Sequence, residues 1–450
     1  MPTSQTLQLL FLGTATSTGL PLTPCLTLST PYPHRWSNMV PLLHDRDRSS
    51  GRSHSPASTA SSTAYAGSTY DPEDPDVPEG WKNKRGNTSV LLRKQSAEGS
   101  WKNVLVDVGK TFREQAMRFF PTWGVKTIDA VLLTHGHADA YFGLDDLREW
   151  CVRQGKAIPV YLNKETFHKV EETFPYMVDK TKVSGGGDVP QLIWKIIEDE
   201  VHHGIYFHSV LPPTNAEPVR DPPAKVEPEP LICLAFEFDD SIIYMSDVSG
   251  IPQRTWDRML QPSSRRQSIF PTPVDSRGGD DTPRGVPKNQ SISDLANLSI
   301  SPRAAGRLER LRAHVPVLII DALWPLQSHA SHFSLAQALI AALRLRAANT
   351  YVIGSTHPTS HFMWEEICNS LTYRDGRDYE VRDHPDAAQA EWLVKRMWDK
   401  VFGEGEHEGL GERWMEEGGK VKPAWDGLVI EVGGDQGLER ADLSSKGLLL

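Results

Sequence analysis

Long apolar runs are missing from this chain of 450 residues. No segment approaches the roughly 20 residues that a bilayer-spanning helix needs. The first residues also lack the charged start and apolar stretch of a secretion signal. The expectation is a soluble protein of the cytoplasm, with the nucleus as a second compartment and no membrane partner. Cysteine is scarce: Cys25, Cys151, Cys233 and Cys368 are far apart and form no CxxC pair. That excludes a disulfide framework and a zinc ribbon, and it fits a reducing compartment. Positive charge is short as well, 48 Lys and Arg against 58 Asp and Glu, for a net charge of −10. A nucleic-acid-binding surface is disfavoured on that balance. What remains, 39% hydrophobic and 24% charged, can build a substantial core.

Two stretches have almost no large apolar residues. Residues 45–79 are rich in Ser, Arg, Pro and Asp, and 261–303 in Ser, Pro and Gly. Both are expected to be disordered insertions. Within the second, Arg265-Arg266-Gln267-Ser268 has the form of a basophilic kinase site and reads equally as an unmodified tail. Elsewhere the pattern alternates. Short apolar runs predict strands at 6–12, 87–92, 104–109, 128–133, 159–162, 191–197 and 205–210. A hairpin of 231–238 with 241–245 is predicted around Asp239-Asp240, then strands at 315–320, 350–354 and 428–432. Helices are predicted at 111–120, 144–152, 164–174, 252–260, 334–345 and 363–371. Strands mixed with helices predict an α/β (α+β) fold of two mixed sheets flanked by helices. The low-complexity stretches interrupt one core and do not divide it.

The chemistry concentrates at strand ends. Thr134-His135-Gly136-His137-Ala138-Asp139-Ala140 follows the apolar run Ala130-Val131-Leu132-Leu133. Residues two apart on an extended segment share a side. A tight turn there can aim two imidazoles and a carboxylate at one divalent ion. Three more strands end in ligand-type residues: Asp247 after Ile242–Met245, Asp321 after Leu318–Ile320, and His357, with His361 at i+4, after Tyr351–Ile353. A lone histidine at a strand end is more often a packing residue than a ligand. An isolated Asp there is also a common cap or turn residue. The paired histidines and Asp139 carry the metal reading, and the others join it as an ensemble.

These residues carry a resemblance. Phe11–Gly19, the HGHADA turn with Gly143-Leu144-Asp145-Asp146-Leu147-Arg148, and Thr356-His357 resemble the metallo-β-lactamase superfamily. The branch resembled is that of the PhnP-like phosphodiesterases, related to RNase Z, and within it the fungal-type uncharacterised members. The resemblance implies a four-layer αββα sandwich in a single domain. That domain would comprise 1–44, 80–260 and 304–375; residues 376–450 lie outside the resemblance, a C-terminal extension whose run Leu428–Val432 reads as a closing strand. It implies that His135 and His137 hold a first ion. Asp139 would bind a second ion, orient the attacking hydroxide, or both. Asp247 would bridge, and His357 would complete the second site, with His361 as its alternative. His332, in Ser331-His332-Phe333-Ser334-Leu335, would protonate the leaving group. The cofactor would be Zn2+ or Mn2+, one ion or two.

The sequence departs from the family at three places. Ala140 stands where HxHxDH has its last histidine. The region around Asn215 lacks the histidine of the family's "HG" pair, although His202, His203 and His208 lie nearby. The N-terminal cysteine cluster is reduced to Cys25. The expected function is a metal-dependent hydrolase acting through metal-activated hydroxide on a small cyclic phosphate or related ester. The alternative is a catalytically weakened binding or scaffold protein of the same fold. An RNase Z-like nuclease fits less well, because the chain is acidic and has no basic arm. The oligomeric state is left open.

Overall fold

The computed structural model describes residues 7–22, 79–95, 99–182, 191–197, 205–206, 231–239, 241–260, 315–355, 357, 359–372, 379–403, 407–432 and 439–442. Residues 261–303, Ser268, Cys25, His202, His203, His208 and Asn215 lie outside the described residues, as does all of 45–79 except Glu79.

Eight strands form the first sheet: β1 (Leu7–Gly13), β2 (Ser89–Gln95), β3 (Trp101–Val106), β4 (Ala130–Leu132), β5 (Ile158–Asn163), β6 (Leu192–Ile197), β14 (Leu428–Val432) and β15 (Glu439–Asp442). Their order is β15-β14-β1-β2-β3-β4-β5-β6. The second sheet holds β9 (Phe236–Phe238), β10 (Ile242–Met245), β11 (Val315–Asp321), β12 (Ala347–Ile353) and β13 (Val421–Pro423), in the order β13-β12-β11-β10-β9. A small antiparallel ribbon pairs β7 (Ile205–Tyr206) with β8 (Ile232–Cys233).

Period-two alternation builds the four layers. In β10, Ile242 and Tyr244 join the core between the sheets, while Ile243 and Met245 join the core under the helices. In β1, Leu9 and Phe11 face the second sheet, and Leu10 and Leu12 face the helix side. Helices α1 (Phe112–Trp123), α2 (Ala138–Tyr141), α3 (Arg148–Gln154) and α4 (Lys164–Thr173) follow strands of the first sheet. Around the second sheet lie α5 (Gln253–Met259), α6 (Leu335–Leu345), α7 (His361–Ser370), α8 (Ala387–Phe402) and α9 (Leu410–Glu416). The result is the αββα sandwich that the resemblance implied.

Two local differences from the sequence reading have visible causes. The run 231–238 is not one strand. Leu234 turns inward and donates its N–H to the Thr134 carbonyl at 2.8 Å, which splits the run into β8 and β9. The helix expected at 144–152 opens as a 3-10 turn over Leu144–Leu147 and becomes α-helical only from Arg148.

The β-strands β10, β11 and β12 run parallel. So do β3 and β4. Their carboxyl ends, at Met245, Asp321, Ile353, Val106 and Leu132, therefore open toward one edge of the sandwich, where a ligand crevice forms in open α/β sheets.

Candidate metal centre

The metal-type turn begins where β4 stops. Asp107, at the end of β3, fixes it. One carboxylate oxygen accepts the Thr134 N–H at 2.8 Å, and the other accepts the Thr134 hydroxyl at 2.8 Å. Thr134 Oγ1 in turn lies 2.8 Å from His135 Nδ1, which leaves Nε2 as the ligand-type atom. This chain of carboxylate, hydroxyl and imidazole sets the ring orientation. Burial pushes the Asp107 pKa up to about 7, against the pull of His135 and Thr134. Asp107 has φ 58° and Asp247 φ 51°, both in the left-handed region that Asp tolerates better than most residues.

Donor atoms of His135, His137 and Asp139 lie within 4.8 Å of one another. The two imidazole rings meet edge to face, with centroids 4.7 Å apart. Asp139 is held from the loop after β1: its Oδ2 accepts the Ser17 N–H at 2.7 Å and faces the Thr16 hydroxyl at 3.4 Å. Gly109 lets this happen, since a Cβ there would meet the Asp139 carbonyl oxygen.

A second group forms across the crevice. Donor atoms of Asp247, Asp321 and His332 also lie within 4.8 Å of one another. Asp321 Oδ2 accepts the Val248 N–H at 3.2 Å and pairs with His332 Nδ1 at 2.8 Å. The other oxygen, Asp321 Oδ1, is buried with no hydrogen-bond partner among the described residues. Asp247 joins the two groups, its Oδ2 standing 3.2 Å from His135 Nε2.

The electrostatics follow from that junction. Burial would raise the Asp247 pKa, but His135, His332 and His137 outweigh it and hold the carboxylate well below its usual range. Burial would lower His135, and Asp247 with the Cys233 thiol raises it. His137 is lowered by burial and by its neighbour His135. Burial opposes protonation of His332 too, yet Asp321 and Asp247 bring its pKa up to about 9. The His332 ring is therefore oriented by Asp321, and the two carboxylates favour its protonated form.

The remaining predicted residues stand apart from these groups. His357 is buried, and burial lowers its pKa to about 4; it belongs to neither group. His361 caps no strand end. It opens α7, its N–H bonds Asn83 Oδ1 at 2.7 Å, and its ring packs edge-on to Trp425 at 5.4 Å. Ala140 is buried in α2 and contributes only backbone: its carbonyl accepts the Val108 N–H at 2.7 Å. Sequence reasoning noted Asp321 only as a strand-end carboxylate and passed over Asp107 and Cys233. Asp107 and Asp321 follow apolar runs, the same signal that marked Asp247, whereas Cys233 lies inside the run 231–238.

Imidazoles and carboxylates converging from separate strand ends are the donor set of zinc and related divalent ions. Together with the unpartnered Asp321 oxygen, the residues fit such an ion.

Comparison with known proteins agrees in kind. Residues 102–263 match the beta-lactamase superfamily domain. A stretch of 103 residues, 23% of this chain, is 33% identical to an octanoyltransferase of Porphyromonas gingivalis (strain ATCC BAA-308 / W83), and it spans 19% of that protein's length. Among solved structures, a diphosphatase from the PhnP family is similar at 19% identity, with 96% of this chain and 98% of that chain covered and a TM-score of 0.47. The metallo-beta-lactamase fold protein YhfI from Bacillus subtilis follows at 12% identity, with 95% and 100% covered and a TM-score of 0.41. Human tRNase Z, short form, follows at 12% identity, with 78% and 93% covered and a TM-score of 0.37. No helix among the described residues is long and apolar enough to cross a membrane.

Proposed function

We propose, from the match of residues 102–263, which hold HGHADA and Asp247, to the beta-lactamase superfamily domain, that the chain is a metallo-β-lactamase-superfamily member and a metal-dependent hydrolase of a small phosphodiester or related ester. One observation carries the reading. Asp247 stands 3.2 Å from the imidazole of His135 and within 4.8 Å of the Asp321–His332 pair, so ligand-type residues and a proton donor meet at one carboxylate.

His135, His137, Asp139 and Asp247 would hold the cation, zinc or manganese, with His357 as a further candidate for a second ion. A divalent cation held there supplies charge to stabilise the phosphoryl transition state and lowers the pKa of water from 15.7 to about 7. The chain's own residues do the rest. Asp107 and Thr134 keep His135 in one orientation. The Ser17 amide occupies one oxygen of Asp139, leaving the other for the cation or the attacking water. Asp321 holds the Nδ1 side of His332, so the Nε2 proton is the one delivered to the leaving oxygen. An imidazole kept protonated by a buried carboxylate suits that task.

Buried Ala140 favours a second reading, a weakened member that binds without turnover. Metal analysis of the purified chain, followed by hydrolysis of bis-p-nitrophenyl phosphate, separates the two. Bound metal with turnover that collapses in Asp139→Ala and His332→Ala supports the hydrolase. Bound metal without turnover of any diester supports the binding protein. Failure to bind metal after reconstitution sinks the hydrolase and leaves the binding or scaffold protein. A net charge of −10 supports a small ester over RNA as substrate.

A further inference from the structure

Beside His332 lies a second imidazole that the proposed mechanism leaves unused. His329 sits on the connection from Trp324 to Ser334, whose two ends are pinned together. Leu323 N–H bonds the Phe333 carbonyl at 3.0 Å, Leu335 N–H bonds the Trp324 carbonyl at 3.1 Å, and Trp324 and Ser334 form a β-bridge. The Lys400 ammonium of α8 ties the Leu326 carbonyl to the body of the protein. The loop is thus held at its base and along its side.

Within it, His329 is fixed in two ways. Its ring stands edge-on to Trp324, with centroids 5.1 Å apart and planes at 90°. Its Nδ1 faces the Ser331 N–H at 3.2 Å and the Ser331 hydroxyl at 3.1 Å. A backbone N–H can only donate, so Nδ1 carries the lone pair and a neutral ring carries its proton on Nε2. Among the described residues, Nε2 has no hydrogen-bond partner. The ring is 5.3 Å from that of His332.

We propose that His329 is a substrate-contacting residue of this site, whose Nε2–H donates to a phosphoryl oxygen of the substrate next to the proton donor His332. This rests on the phosphoester reading above for its substrate class. The division of labour follows from the partners of each ring. His332 has a carboxylate behind it and can give up a proton to a leaving oxygen. His329 has only an N–H and a hydroxyl behind it, so it offers a hydrogen bond and does not compete in the proton transfer. A donor already oriented in the free protein needs no reorganisation when an anion arrives.

The test titrates inorganic phosphate into the metal-loaded, full-length chain by calorimetry, for wild type, His329→Phe and His329→Gln. Phenylalanine keeps a ring against Trp324 and loses the donor; glutamine returns an N–H at similar reach. A hydrogen bond to a charged group predicts phosphate affinity about ten-fold weaker in His329→Phe, with most of it restored in His329→Gln. Equal affinity in wild type and His329→Phe overturns the proposal, and so does a wild type that binds no phosphate. Hydrolysis of bis-p-nitrophenyl phosphate is read separately: KM should rise in His329→Phe more than kcat falls. If wild type binds phosphate through His329 yet hydrolyses no diester, the hydrolase reading fails while the anion contact stands.

Discussion

Asp107 touches no proposed reacting atom, yet the orientation of His135 depends on it. Both of its oxygens are engaged by Thr134 at 2.8 Å, and Thr134 faces His135 at 2.8 Å. Asp107→Ala leaves the buried Thr134 N–H without an acceptor, at a cost of about 1–3 kcal/mol. It should also weaken zinc binding by about 10–100-fold, the usual consequence of losing a residue that orients a ligand. Competition with a chromophoric chelator reads the second effect, and an unchanged affinity would remove Asp107 from the centre. His332 makes a pH-dependent contribution. Its folded pKa, about 9, lies above the ordinary 6.5, because Asp321 and Asp247 outweigh its burial. A raised histidine stabilises fully below pH 6.5 and loses that contribution as pH rises through about 9. The urea midpoint of the metal-free wild type should therefore exceed that of Asp321→Asn most at pH 6, with the gap closing by pH 9.5. A gap independent of pH would deny the pairing.

Strand ends decide what was legible in the sequence. His135, His137 and Asp139 are close in the chain, so their two-residue spacing after a buried strand announces them before any tertiary contact is known. Asp247 announced itself less clearly, and Asp321 hardly at all, because a single Asp after an apolar run also suits a turn. What separates them is the partner, His332, which lies on the pinned loop leading to α6. The sequence offers His361, at i+4, as an alternative ligand to His357, but Ser360 starts α7 between them by accepting the Met363 N–H at 3.3 Å, and His361 leaves toward Trp425. The layers were legible because both faces of nearly every central strand are apolar. The split between β8 and β9 was not, because it is made by a long-range bond from Leu234 to Thr134. The exit of β12 depends on one residue. Gly354 has φ 73°, and a Cβ there would collide with Asp321 Oδ1. Gly354→Ala should displace Asp321, release His332 and lower diester turnover at least as far as Asp321→Ala does, while α6 keeps its Ser334–Gln337 capping box. Wild-type turnover in Gly354→Ala would show that Asp321 has room to move.

At the scale of the molecule, the last part of the chain closes both sheets and braces the site. β14 lies between β1 and β15, and β13 pairs with β12. Between them, Asp426 accepts the Gly86 N–H at 2.7 Å and the Thr14 hydroxyl at 2.9 Å. Thr14 also offers its carbonyl to the Gly354 N–H at 3.0 Å. The same loop places Ser17 on Asp139. One chain of contacts thus runs from the C-terminal turn through the β1 exit to both halves of the centre. Ending the chain after Gly419 removes β13, β14 and β15, with the fully buried Leu428, Val429 and Ile430 of β14. Each such side chain is worth about 1.5–3 kcal/mol when buried. The loss also bares the edge of β1, and whole domains are stable by only about 5–15 kcal/mol. The truncated chain should therefore show no cooperative urea transition. Asp426→Ala is the milder case: it keeps the strands and breaks only the ties to Gly86 and Thr14. Stability should fall by about 1–3 kcal/mol for the donors left buried, and diester turnover should fall with it, because the loop that carries Ser17 loses its anchor. If turnover survives that loss of stability unchanged, the C-terminal segment closes the sandwich without bracing the centre.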